Sequence, residues 1–170
     1  MGPKRMSRTT WRQGPSNRGF SLIELLVVVA VILIIMAIAI PNFIKSKLRA
    51  NEASTVSNIR NITTAEVVYS TTYEIGFSAD LISLGGTGIT VDQTHAGLID
   101  DVLANGQKSG YLFTYTILAQ DPLGHVTSYS VNADPLVQNN TGVRHFYADQ
   151  TGVIRENDTV AAGPTDPSLQ

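Results

Sequence analysis

The sequence predicts an α+β chain in which a long N-terminal helix, membrane-spanning in its first half, packs on a four-stranded antiparallel sheet. Three observations predict it. Residues 25–40 form a run of 16 without a polar side chain. Beyond that run the apolar residues recur at steps of three and four, the helical spacing. From Tyr111 onward the spacing falls to two, broken by turn-forming sequences.

The chain has 170 residues, enough for one modest core and too few for a large multidomain enzyme. Its net charge of −2 hides an asymmetry. Residues 1–19 contain Lys4, Arg5, Arg8, Arg12 and Arg18 and no acid, leaving 7 of the 12 basic residues and all 14 acidic ones to the remainder. A body that acidic predicts no nucleic-acid partner. The absence of cysteine removes disulfides, thiolate zinc sites and thiol nucleophiles from this sequence.

The first element is the apolar segment. From Phe20 to Ile44 the only polar side chains are Ser21, Glu24 and Asn42. About 20 apolar residues cross the ~30 Å of a bilayer as a helix, so residues 20–44 suffice. The acid-free basic stretch before them predicts a cytoplasmic N-terminus and an exported body. Two plain readings compete: a secretory signal cut after Ala37-Ile38-Ala39, and a single-span anchor carrying a binding domain. Both leave Glu24 unexplained, because a carboxylate within an apolar span costs about 2.5–3.5 kcal/mol and persists where it has a function. Pro41 lacks a helix donor and crowds the preceding turn, which predicts a kink or a locally extended stretch over residues 38–42.

Past the apolar run, Val56, Ile59, Ile62, Ala65, Tyr69 and Tyr73 share one helical face, with Asn51, Glu52, Asn58, Arg60 and Asn61 placed mostly elsewhere. One helix over residues 20–72, about 80 Å long, accounts for both halves. Residues 74–109 read as a connection with short helices at 79–84 and 96–104. Gly85-Gly86-Thr87-Gly88 between them is a loop, since no Gly-Lys-Ser/Thr follows it. Two hairpins come next: residues 111–118 with 126–133 around Asp121-Pro122-Leu123-Gly124, and 144–148 with 153–156 around Asp149-Gln150-Thr151-Gly152. An unpaired, flexible tail is expected from Asp158. The organisation is thus a leader at 1–19, an apolar helical half at 20–44, a globular domain at 45–157 and a tail at 158–170.

Arg18-Gly19-Phe20-Ser21-Leu22-Ile23-Glu24 followed by the apolar run resembles the class III signal of type IV prepilins and the related major pseudopilins of type II secretion. The resemblance implies cleavage between Gly19 and Phe20 by a prepilin peptidase, N-methylation of Phe20, and a mature chain beginning there, whether synthesis starts at Met1 or Met6. It also implies a homo-oligomeric filament in which Glu24 of one chain meets the Phe20 amine of another. The electrostatics agree, because a new α-amino charge is disfavoured at a helix start where Glu24 is favoured. The machinery implied is an inner-membrane assembly platform with its ATPase. The location implied is a single pass of the inner membrane before assembly, then a surface pilus or a periplasmic pseudopilus. Residues 109–115 and 146–155 are similar to strand motifs of the same family.

The family's two C-terminal cysteines are missing, so a disulfide-bounded last loop is not carried over. Calcium serves that purpose in some pseudopilins, and Asp149, Glu156 and Asp158 are the weak candidate ligands here, though without an EF-hand spacing. No cofactor is expected otherwise. No enzyme is expected either: His95, His125 and His145 lie in unrelated contexts, and no catalytic motif accompanies them.

Overall fold

The computed structural model describes residues 19–86 and 90–169. The leader expected at 1–19 lies outside the described residues except for Gly19, as do Thr87 and Gly88 of the glycine loop. The chain divides into two units that meet between Ile40 and Pro41.

The first unit is the beginning of α1 (Leu22–Tyr73), a helix of 52 residues. Runs such as Val27-Val28-Val29 favour strands in water. Without water to satisfy the backbone, a helix is the way a single segment can pair all its peptide groups. The large side chains from Leu22 to Ile40 are exposed, and the unit has the length and apolarity to cross a membrane. Pro41 sits inside α1. The chain therefore does not adopt the locally extended stretch expected at residues 38–42; proline withholds one N–H from the carbonyl of Ala37, and the helix resumes.

In the second unit, α1 carries the predicted stripe into the core, with Val56, Ile59, Ile62, Ala65 and Tyr69 all buried. Glu52, Asn58 and Glu66 are buried with them, which corrects the placement of Glu52 and Asn58 off that face. Glu74, at φ +56°, follows the end of α1. Gly76 (φ +84°) lies so close to Val126 that any side chain would strike its carbonyl. That approach lets the Phe77 N–H donate to the Val126 carbonyl at 2.9 Å.

Two short helices follow, α2 (Leu81–Leu84) and α3 (Asp101–Ala104). Both are shorter than expected. Asp80 caps α2 by accepting from Ser83 N–H at 2.8 Å, and Asp100 caps α3 by accepting from Leu103 N–H at 3.1 Å. The residues between pair with the end of α2 instead of forming helix: Ala96 N–H donates to the Ser83 carbonyl and Leu98 N–H to the Leu84 carbonyl.

The sheet has five antiparallel strands in the order β1-β2-β3-β4-β5: β1 (Gln107–Lys108), β2 (Tyr111–Gln120), β3 (Val126–Pro135), β4 (His145–Asp149) and β5 (Arg155–Asn157). The expected count was four. β1 has two residues, too few to show a period. In β2, Tyr111 and Phe113 point into the core while Thr116 to Gln120 are exposed, and the register with β3 slips beyond Ile117, although Val126 and Tyr129 of β3 stay buried. Tyr111, Tyr129, Val131 and Phe146 form one core with Ile59, Ile62, Leu84 and Leu103.

The C-terminal segment is not unpaired. Glu156 N–H donates to the Pro167 carbonyl at 3.0 Å and Leu169 N–H to the Ile154 carbonyl at 2.8 Å. Ala162 is buried, and its carbonyl accepts from Asn132 Nδ2 at 2.8 Å. The glycine and prolines that suggested a loose tail turn the chain back beside β5.

Candidate assembly site and the clasp of the body

Gly19 and Phe20 precede α1 in non-helical conformation, and Phe20 is 81% exposed. Four residues on, the Glu24 carboxylate accepts from Ser21 N–H at 2.9 Å. This is one half of a capping box, in which the acid at the third helical position reaches back to the residue before the helix. Phe20, Ile23, Glu24, Val27 and Val28 line one shallow, mainly apolar surface. The structure thus places the three residues named from the sequence together: Gly19 and the exposed Phe20 just outside the helix and the Glu24 carboxylate one turn inside. Glu24 already has a partner within its own chain, which spacing alone did not reveal.

A second constellation, not foreseen, holds the body together. The Glu52 carboxylate accepts from the backbone N–H of Val143 at 2.9 Å and from Arg144 Nε at 3.0 Å. It also lies 2.9 Å from a terminal nitrogen of the same guanidinium. The other terminal nitrogen bonds Glu156 at 2.6 Å, and the guanidinium stands over the Phe146 ring, 5.5 Å from its centroid. Burial acts to lower the Arg144 pKa, but hydrogen bonds and charge from Glu52 and Glu156 outweigh it and push the pKa up. Arg144, just before β4, thereby ties α1 to β5 with one cation. The sequence carried a signal for this: Glu52 stands four residues before Val56, on the apolar stripe itself.

Two of the three candidate calcium ligands have their carboxylates engaged elsewhere. Asp149 accepts from the N–H and hydroxyl of Thr151 in its turn, and Glu156 faces Arg144. Asp158 offers its backbone carbonyl to Gln138 at 3.4 Å. Among the described residues no group of three potential ligands forms. The histidines are also apart: His125 pairs with Asp121 and His145 with Asp134, each at a different place on the sheet, while His95 contacts Thr94.

Comparison with known proteins agrees with this arrangement. The family described as the prokaryotic N-terminal methylation motif matches residues 14–40. The chain is 51% identical over 55 residues to the type IV major pilin protein PilA of Myxococcus xanthus, a match spanning 32% of this chain and a quarter (25%) of that protein. It is 35% identical over 112 residues to each of two fimbrial proteins of Pseudomonas aeruginosa, covering 56% of this chain and 72% of theirs. No solved structure matches. An exposed apolar helix behind a methylation motif, an α+β body and relatives of this extent together place the chain in the type IV pilin family, whose members are structural subunits and not enzymes.

Proposed function

We propose that the chain is the structural subunit of a type IV pilus-like filament, anchored by one pass of the inner membrane until it polymerises through residues 20–44. The observation that carries this reading is the first unit: its large apolar side chains bury nothing within their own chain, and they lie under the methylation motif. In the membrane they face lipid. In a filament, copies of the same helix cover them.

Prepilin peptidase cleavage between Gly19 and Phe20, with N-methylation of Phe20, frees an amine beside the apolar surface. Glu24 then exchanges its capping bond to Ser21 N–H for the Phe20 amine of a neighbouring chain. A buried charge left without its partner costs several kcal/mol, so the pair selects one axial register among the many that an apolar helix allows. Pro41 shapes the helix where the apolar half gives way to the body.

Intact-mass and N-terminal analysis of the mature protein tests the processing: methylated Phe20 is the expected first residue. Ile40 as the first residue would establish an ordinary secretory signal, and an uncut Met1 or Met6 a plain anchor. Electron microscopy of sheared surface material, with mass identification of the fibre, tests the assembly. Long filaments of this chain are expected at native expression. Their absence, together with a block in protein secretion when the gene is deleted, would assign the subunit to a periplasmic pseudopilus instead.

A further inference from the structure

Glu66, on the core face of α1, is fully buried. Among the described residues it belongs to none of the ion pairs, which join Lys108 to Asp100, Arg144 to Glu52 and Glu156, and two histidines to aspartates. The titratable groups that face it are phenols: Tyr69 from α1, Tyr115 from β2 and Tyr129 from β3. The further charged side chains acting on Tyr69 and Tyr129, namely Asp80, Asp92 and Asp149, are themselves acids. A carboxylate at this position meets no cation, although burial of an unpaired charge is among the most costly arrangements in a protein.

The hydrogen positions resolve the difficulty. Ser78 N–H donates to Glu66 Oε2 at 2.9 Å. Ser78 Oγ lies 2.6 Å from Glu66 Oε1 and 2.9 Å from the carbonyl of Asp80. A serine hydroxyl has one hydrogen. If Glu66 is ionised, that hydrogen serves either the carboxylate or the Asp80 carbonyl, and one of the two contacts lacks a proton. If Glu66 is protonated, every contact is filled in a chain: the Oε1–H donates to Ser78 Oγ, and the Ser78 hydroxyl donates to Asp80. The Tyr115 hydroxyl completes the cluster by donating to the Ser78 carbonyl at 2.9 Å.

We propose that Glu66 stands as a neutral carboxylic acid in the folded chain at neutral pH and acts as a proton-dependent latch fastening residues 78–80, the start of the connecting segment, to α1. When pH rises, the Oε1 proton leaves to solvent. The Ser78 hydroxyl turns to the new carboxylate, and the carbonyl of Asp80, the cap residue of α2, loses that donor. Burial, the largest influence, pushes the Glu66 pKa up against the hydrogen bonds from Ser78 and the Tyr115 hydroxyl. The folded state therefore binds more protons than the unfolded chain between the ordinary carboxylate pKa and the raised one, and the hold weakens as pH climbs through that window. The latch stands independently of the filament reading.

Infrared titration of the full chain in detergent micelles tests it without any variant. The carbonyl stretch of a protonated carboxyl is expected at neutral pH, disappearing at alkaline pH. Glu66→Gln, which keeps one acceptor and one donor but cannot titrate, is expected to lack the band. Amide protection of Ser78 is expected to fall by up to about tenfold per pH unit between the ordinary carboxylate pKa and the midpoint at which the band disappears, to level off above that midpoint, and to stay level throughout in Glu66→Gln. Absence of the band at neutral pH, its survival in Glu66→Gln, or parallel protection profiles would overturn the proposal. Should that variant not fold, Ser78→Ala serves: an acid deprived of its acceptor shifts its stretch to higher frequency, and an unmoved band overturns the latch.

Discussion

Arg144 occupies the position of greatest leverage in the body. Its guanidinium is partly solvated while Glu52 is nearly closed off, with side-chain exposures of 34% and 7%. Removing the cation strands a buried carboxylate; removing the acid leaves a cation that can still reach water. Arg144→Met is accordingly expected to destabilise the body by about 2–3 kcal/mol, discounted for partial exposure from the range for buried pairs, and Glu52→Gln by roughly half as much. Chemical denaturation in detergent monitors both, and equal losses would contradict the asymmetry. Gly142 is a second sensitive residue, because a side chain there would overlap the hydroxyl of Tyr111, which donates to the Arg144 carbonyl at 2.9 Å. Gly142→Ala should lower stability by about 1–3 kcal/mol through overpacking, read in the same assay. At this scale the sequence was half legible. Gly19, Phe20 and Glu24 stood out because a charge in an apolar run has no bland explanation. Glu52 and Glu66 did not, since an acid between apolar residues on an amphipathic helix reads as a surface charge until its counterion or proton is located.

At the scale of elements, caps decide where helices begin. Asp100 starts α3 and also holds Lys108 at 2.6 Å, and the hydrogen bond from Lys108 is the largest influence keeping its carboxyl below the ordinary carboxylate range. A depressed carboxyl contributes stability that is present above its unfolded pKa and fades as pH falls through the folded one. Lys108→Met should remove part of that acid-side dependence, visible as a flatter profile of melting temperature below about pH 4; an unchanged profile would show that the capping bond alone sets it. The alternation in β2 and β3 was readable because half-buried strands advertise their period. β1 and the returning C-terminal segment were not, for a two-residue strand has no period and a segment held by carbonyls at Pro167 and Ile154 leaves no mark in side-chain chemistry. Deleting residues 162–170 should expose Ile154 and remove the pairing beside β5, with an expected loss of about 2 kcal/mol. A truncated chain as stable as the whole would mean that the segment merely rests on the sheet.

For the whole molecule, the division at Ile40 and Pro41 separates two kinds of solubility. The full chain is expected to need detergent or lipid, whereas a chain starting at residue 45 should remain monomeric in water by sedimentation, because its body keeps its own core. Self-association of that shortened chain at low concentration would locate the assembly drive in the body instead of the apolar helix. Glu24→Ala in the full chain should insert and be cleaved as before, since the helix only becomes more apolar, yet yield few or no filaments. Assembly at the natural yield would remove Glu24 from the register.

The clasp joins residues 92 positions apart. If the body is exported beyond a retained N-terminal helix, as proposed, Glu52 emerges early and its counterion follows only after most of the body has crossed. Closing so wide a loop carries an entropic cost that grows with the logarithm of its length, and the last segment to arrive supplies the pairing beside β5. If the chain is exported as proposed, folding of the body is completed only after the residues around Arg144 have crossed.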